Sequence, residues 1–93
     1  MRITFDRTKR EWALRDRGLD FKDAMHVFAG RTLDRHDDRA AYGEVRMQTV
    51  GYLNGRMVML VWTPRGRKTR RIISMRKCNA KEQERLRVQL QGR

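Results

Sequence analysis

Arg56-Met57-Val58-Met59-Leu60-Val61-Trp62-Thr63, then Pro64-Arg65-Gly66-Arg67-Lys68, then Thr69-Arg70-Arg71-Ile72-Ile73-Ser74-Met75-Arg76-Lys77, is the stretch on which the fold turns. Met57 to Trp62 is an unbroken apolar run. It is too short for a core helix and is bounded by turn residues, so it reads as a buried strand. Pro64 to Lys68 breaks the pattern as a turn, and Thr69 to Met75 resumes it as a second strand. Between Arg65 and Lys77 stand seven cations and no acid. A buried hairpin with an undiluted cationic rim is built to hold an anion, and the commonest polymeric anion is a nucleic-acid backbone.

Upstream of this hairpin, Glu44 to Leu53 reads as a strand. It has Val45, Met47 and Thr49 on one face and Glu44, Arg46, Gln48 and Val50 on the other. Asn54-Gly55 is a strong hairpin signal, because a type I′ turn needs positive φ at both central positions. The strand 56–63 then returns antiparallel to 44–53, and the Pro64–Lys68 turn brings 69–76 back again. Downstream, Asn79 opens a helix with Glu82 as its capping-box partner and Leu86 and Leu90 on the buried face. Gln91-Gly92-Arg93 is expected to fray.

The N-terminal half is helical. Met1 to Phe5 alternates as a short strand with Met1, Ile3 and Phe5 on one face. Asp6 caps a helix over Thr8 to Arg17 that Gly18 stops, with Trp12 and Leu14 beside Ala13 as its apolar stripe. Asp20 caps a second helix ending at Gly30. Its stripe is Phe21, Ala24, Met25 and Phe28. Arg31 to Ala41 is a charged edge strand or a mobile loop. The expected architecture is α+β in the order β-α-α-β-β-β-β-α, a small antiparallel sheet with its helices packed on one face. Residues 1–93 are expected to form a single domain.

The net charge is +12 and the pI is about 11.4, the balance of a nucleic-acid-binding domain. Residues 1–43 carry ten Lys/Arg against eight Asp/Glu, whereas residues 44–93 carry thirteen against three. The binding face therefore belongs to the second half. A lone cysteine, Cys78, fits a reducing compartment, and no signal peptide or membrane-length apolar run is evident, so a cytoplasmic protein that does not engage membrane is expected.

No metal site and no cofactor are expected. His26 and His36 lack ligand spacing, Cys78 has no second cysteine, and Gly55 and Gly66 are turn glycines rather than parts of a phosphate loop. A carboxylate (Glu44), a hydroxyl (Thr63 or Ser74) and several guanidinium groups could instead converge on one sheet surface. That set suits metal-independent cleavage of RNA. A base takes the 2′-OH proton, arginines neutralise the developing charge on phosphorus, and the nucleophile comes from the RNA itself. Plain RNA or DNA binding fits the same composition.

A set of local matches in the expected order carries a resemblance. They are Ile3-Thr4-Phe5-Asp6, Leu14-Arg15, Gly18-Leu19 with Phe21, Val27-Phe28, Tyr42-Gly43-Glu44, Arg46, Thr49-Val50-Gly51, Val61 with Thr63, Arg65-Gly66, and Arg71-Ile72-Ile73-Ser74 with Arg76-Lys77. The sequence resembles the BrnT-type toxins of bacterial type II toxin–antitoxin systems, small ribonucleases with a RelE-like fold. The resemblance implies mRNA cleavage that arrests translation. It also implies a BrnA-type ribbon-helix-helix antitoxin that neutralises the toxin and tethers it to operator DNA. The family-type positions are Glu44, Arg46, Thr63, Arg65, Arg71, Ser74, Arg76 and Lys77 as catalytic candidates, with Arg67, Lys68 and Arg70 as further RNA-binding cations.

The chain departs from the family pattern in three places. Asp16-Arg17 stands where relatives carry Lys-His, Pro64 where they carry glutamate, and Leu86 nearest to a tyrosine of the last helix. Fewer titratable groups leave Glu44 or a lysine as the base. The competing reading is a non-catalytic nucleic-acid-binding or co-repressor subunit of the same fold; a basic RNA-binding accessory of the ribosome is a third.

Overall fold

The apolar run becomes the central strand of a five-stranded sheet. In chain order the elements are β1 (Arg2–Phe5), α1 (Arg7–Arg17), a 3₁₀ turn (Phe21–Asp23), α2 (Ala24–Ala29), β2 (Leu33–His36), β3 (Met47–Leu53), β4 (Arg56–Arg65), β5 (Thr69–Lys77) and α3 (Ala80–Gln91). This computed structural model describes residues 1–91; of the Gln91–Arg93 tail expected to fray, Gln91 ends the last helix and Gly92 and Arg93 lie outside the described residues. The α+β class and the element order are as expected.

The strand order is β1-β5-β4-β3-β2. β2 through β5 form the antiparallel meander, with Asn54 at φ 51° and Gly55 at φ 79° in the β3–β4 turn. β1, however, runs parallel to β5, from Arg2 opposite Thr69 to Phe5 opposite Ile72. The expectation of a purely antiparallel sheet is corrected here. No hairpin links these two strands, so nothing in the connection imposes an antiparallel pair.

The helices occupy both faces rather than one. Val58, Leu60 and Trp62 of β4 pack with Ala13, Leu19, Phe21, Ala24 and Val27 beneath α1 and α2. Met57 and Met59 pack with Val50, Cys78, Leu86 and Leu90 beneath α3. A strand that is apolar at every position has two faces to cover, and each helix offers only one stripe. Together the two layers leave Leu60, Val58 and Met75 with no exposed surface.

Within α1, Asp6 accepts from the Thr8 amide at 2.8 Å, and Gly18 in the left-handed region donates to Leu14 at 3.1 Å. The face differs from the expected one. Ala13 is buried, whereas Trp12 and Leu14 are 43% and 41% exposed. A small residue lets the helix backbone sit close to the sheet, and the large neighbours are displaced outward. The second helix begins as the 3₁₀ turn, with Asp20 capping Lys22 and receiving a bidentate grip from Arg10 at 2.8 and 2.9 Å. Its buried stripe is Phe21, Ala24 and Val27. Met25 lies outside it.

Two further expectations move. Pro64 belongs to β4, and the turn is confined to 66–68. Pairing of β4 with β3 reaches only Trp62, so Pro64 lies beyond the ladder on that side, where a missing N–H is tolerated. On β5, the pairing steps from Val61 opposite Ser74 to Trp62 opposite Ile72, leaving Ile73 as the extra residue of a bulge. The expected alternation, with Ile72, Ser74 and Arg76 on one face, therefore fails. Ile72 and Met75 share the α1–α2 core.

Gly51 has a role its sequence position did not reveal. A Cβ there would lie 2.9 Å from Val27 Cγ1, 3.1 Å from Thr32 Cγ2 and 3.3 Å from the Arg31 carbonyl. The close approach of α2 and the segment after it to β3 depends on that missing methyl. Gly51→Ala is expected to destabilise the fold by about 1–2 kcal/mol through overpacking, read as a lower denaturant midpoint at unchanged m-value.

Candidate functional site

Across an antiparallel pair, residues directly opposite point to the same side. Arg71 is opposite Thr63, Ser74 opposite Val61, and Arg76 opposite Met59, on the side where α3 packs. Arg65 follows Thr63 by one alternation, its Nη1 3.4 Å from the Thr63 hydroxyl. Glu44 and Arg46 complete the group from the segment before β3. Glu44 Oε1 accepts from Arg65 Nη1 at 3.1 Å, and Glu44 Oε2 lies 3.4 Å from Arg46 Nε. Seven of the eight catalytic candidates thus share one side of the sheet.

Glu44 is held ionised. The Arg65 hydrogen bond lowers its pKa, with Arg46 adding to the effect. Thr63 is fully enclosed and donates to the Val45 carbonyl at 2.6 Å, so its hydroxyl fastens the Glu44 segment onto β4. Arg71 has no carboxylate within ion-pairing distance among the described residues. That leaves its charge for a ligand.

Arg76 is differently employed. Its Nη1 and Nη2 grip Glu82 of α3 at 2.7 and 2.6 Å, and Nη1 also reaches the Lys77 carbonyl at 3.3 Å. Arg76 therefore ties β5 to α3. Glu82 is drawn down to about 2 by this pair and at the same time accepts from the Asn79 amide, completing the capping box with Asn79 Oδ1 on the Glu82 amide. Lys77 lies opposite Val58, on the α1–α2 side, apart from the other seven.

Of the remaining cations, Arg67 and Lys68 project from the β4–β5 turn beside Arg65. Arg70 points away from the group. Its guanidinium stacks 4.3 Å over Trp62 and 4.5 Å over Phe28 on the α1–α2 face. Burying an arginine stem over two rings covers apolar surface, and its charge is directed away from the Glu44 side.

The loop before β3 contributes residues that composition did not single out. The stretch expected to be an edge strand or a mobile loop forms the edge strand β2 and then a loop anchored by Asp37, whose side chain is wholly buried and bound by Arg39 Nε and Nη2, each at 2.7 Å. Arg39 is the main cause of the lowered Asp37 pKa. Tyr42 lies 3.5 Å from the same carboxylate, and its ring carries the Arg46 guanidinium at 3.9 Å. A chain of contacts thus runs from buried Asp37 through Tyr42 and Arg46 to Glu44, Arg65 and Thr63. The Tyr42-Gly43-Glu44 spacing was the visible signal; the Asp37–Arg39 lock was not, because adjacent opposite charges usually read as solvated surface.

The structure so assembled is a small basic α+β protein whose sheet carries one carboxylate among guanidinium groups, a chemistry suited to phosphodiesters. Residues 5–82 match the family described as ribonuclease toxin, BrnT, of type II toxin–antitoxin systems, and the chain belongs to that family. It is similar to the Brucella abortus ribonuclease toxin BrnT, solved by crystallography, with 26% identity, a TM-score of 0.68, and coverage of 85% of this chain and 97% of that one. No curated protein sequence matches it. No helix among the described residues is long and apolar enough to cross a membrane.

Proposed function

We propose that the protein is an endoribonuclease that cleaves mRNA without metal and thereby inhibits translation. In this reading it is neutralised by a ribbon-helix-helix antitoxin that also carries it to operator DNA. One observation carries the reading: an ionised Glu44 held between Arg65 and Arg46, on the same side of the sheet as Arg71, which has no carboxylate partner among the described residues.

In this mechanism a backbone phosphate enters between Arg65 and Arg71. It competes with Glu44 for the guanidinium groups and frees the carboxylate to act as base. Glu44 takes the 2′-OH proton, the 2′ oxygen attacks phosphorus, and the bond to the 5′ oxygen breaks. That oxygen leaves with a proton taken from solvent water, and Glu44 gives up its own to the hydroxide so formed, leaving a 2′,3′-cyclic phosphate and a 5′-hydroxyl end. The arginines meet the charge that grows on the phosphoryl oxygens, where fixed donors act most strongly. Arg76 supports this surface from behind through Glu82, and Ser74 lines its edge.

The test is cleavage of a long mRNA in EDTA, with and without ribosomes, with the ends of the products identified. Glu44→Gln keeps size and removes the base, so cleavage is expected to fall by about 10²–10⁴-fold while RNA affinity stays within a few-fold. Binding itself should weaken as salt rises, with a log–log slope of about −0.7 for each phosphate neutralised. A wild-type protein that binds RNA, cuts none in either setting and leaves growth unaffected on induction would favour the co-repressor reading.

A further inference from the structure

Beyond the Phe5–Ile72 pair, β5 has no strand on its β1 side, and that edge from Ile73 onward faces the flank of α1. A groove of about 230 Å³ lies there, walled by Trp12, Lys9 and Arg17 of α1, by Phe21, and by Ile73 and Ser74 of β5. Two features of the groove are unexplained by the core. Trp12 is a large aromatic side chain left 43% exposed, in contrast to Trp62, which is buried. Its ring is also held in place. The Arg17 guanidinium lies 4.7 Å from the ring centroid on one side, and Arg17 Nη1 is itself anchored on the Met75 carbonyl at 2.9 Å.

The charge of the groove selects its occupant. Lys9 and Arg17 line it and no acid does. The neighbouring carboxylates of α1, Glu11 and Asp16, are turned to Arg7 at 3.8 Å and Arg15 at 3.5 Å. An exposed ring beside two cations is the pattern by which proteins hold single-stranded nucleic acid, with the base on the aromatic face and the phosphate on the cation. The groove opens on the α1 side of the sheet, opposite the side that carries Arg71 and Arg76, and it meets that row only at the β5 edge, where Ser74 lines it.

We propose that this groove is a nucleobase subsite, in which an unpaired base of an RNA strand that passes round the β5 edge from the cleavage site stacks on Trp12. Lys9 and Arg17 face the phosphate attached to that nucleotide. Ile73, the extra residue of the bulge, lines the subsite just where the β1 pairing ends. This assignment rests on the RNA-cleavage reading but makes its own demand, that the bases and not only the phosphates are gripped.

The experiment titrates the whole protein with a non-cleavable, 2′-O-methylated single-stranded oligonucleotide in EDTA. Fluorescence anisotropy of a label on the oligonucleotide follows binding, and tryptophan emission follows stacking. Stacking quenches emission, and Trp12→Leu removes the quenching and weakens the oligonucleotide about tenfold, the size of one base on one aromatic ring. Trp12→Phe retains most of the affinity and serves alone if the leucine variant does not fold. Inorganic polyphosphate, which has charge without bases, binds the wild type and Trp12→Leu equally.

Salt-dependent binding of the oligonucleotide with no quenching and no effect of Trp12→Leu overturns the subsite and leaves the nuclease reading standing. Unchanged oligonucleotide affinity with weakened antitoxin binding assigns the groove to a protein partner and likewise overturns it. Absence of any oligonucleotide binding overturns both the subsite and the proposed function.

Discussion

Replacing Arg65 with alanine is expected to lower the proposed RNA cleavage by about 10²–10³-fold, the usual loss on removing one preorganised donor from a developing oxyanion. Two roles end with that one side chain. Arg65 Nη1 donates to Glu44 at 3.1 Å and is 47% exposed, so it can turn from the carboxylate to an incoming phosphate. It is also the largest cause of the lowered Glu44 pKa. In Arg65→Ala the Glu44 pKa rises toward the ordinary carboxylate value. The acid limb of the kcat/KM profile therefore moves to higher pH, while the residual rate at neutral pH remains low. Because the guanidinium is near the surface, the melting temperature should stay within about 4 °C of the wild type. Arg71→Ala is expected to lose cleavage similarly but to leave the position of the acid limb unchanged, since Arg71 makes no pair with Glu44. Full activity in Arg65→Ala would move the reaction away from this group. An equally large drop in thermal stability would mark Arg65 as structural.

What could be read from the chain divides along the range of the interactions involved. The β3–β4 turn at Asn54-Gly55, the Gly18 stop and the Asn79–Glu82 capping box are each written in a few adjacent residues, and all three stand as read. The Met57–Trp62 run announced a buried strand, but the expectation of helices on one face overlooked that a strand without alternation needs cover on both; α3 supplies the second. Sequence period failed where a single local event shifts it. The Ile73 bulge adds one residue to β5, so the faces of everything after it are reassigned. On α1, size misled. Ala13, not Trp12 or Leu14, meets the sheet, because the tightest contact favours the smallest side chain.

The candidate site was legible as a composition and not as a geometry. Seven cations without a local acid marked the Arg65–Lys77 segment as the place to look. Which of them are free for a ligand depends on partners distant in sequence. Arg70 is stacked on Phe28, more than forty residues earlier, and Arg65 meets Glu44 across the sheet. Glu82 was read as half of a capping box and as one of three acids open to pairing with the arginines; that both its oxygens hold Arg76 in particular was not visible. Such pairings arise only once the strands are in register.

That double duty of Glu82 sets the second large expectation, in stability rather than in rate. Arg76→Ala removes a bidentate pair at 2.6 and 2.7 Å and leaves Glu82, only 15% exposed at its side chain, without its cation. A stranded carboxylate keeps its desolvation cost, so the loss is about 2 kcal/mol, below that of a fully buried pair because Arg76 is 39% exposed. In a domain of this size that corresponds to a fall of about 8–16 °C in melting temperature. The effect has a defined pH dependence. Folding lowers the Glu82 pKa to about 2, chiefly through Arg76, so the pair stabilises the native state fully above the ordinary carboxylate pKa. The contribution fades as pH falls through about 2, where the native carboxylate takes up its proton. The stability gap between wild type and Arg76→Ala should accordingly be widest near neutrality and close progressively below about pH 4. Glu82→Gln should reproduce much of the loss at neutral pH, and the double variant should cost less than the sum of the two singles, because the two side chains act as one unit. Denaturant titrations of the four proteins at pH 7 and near pH 2 read this directly. A gap that is the same at both pH values would remove the ion pair as its cause. Arg76→Ala with unaltered stability and abolished cleavage would instead return Arg76 to the group of side chains that face the phosphate.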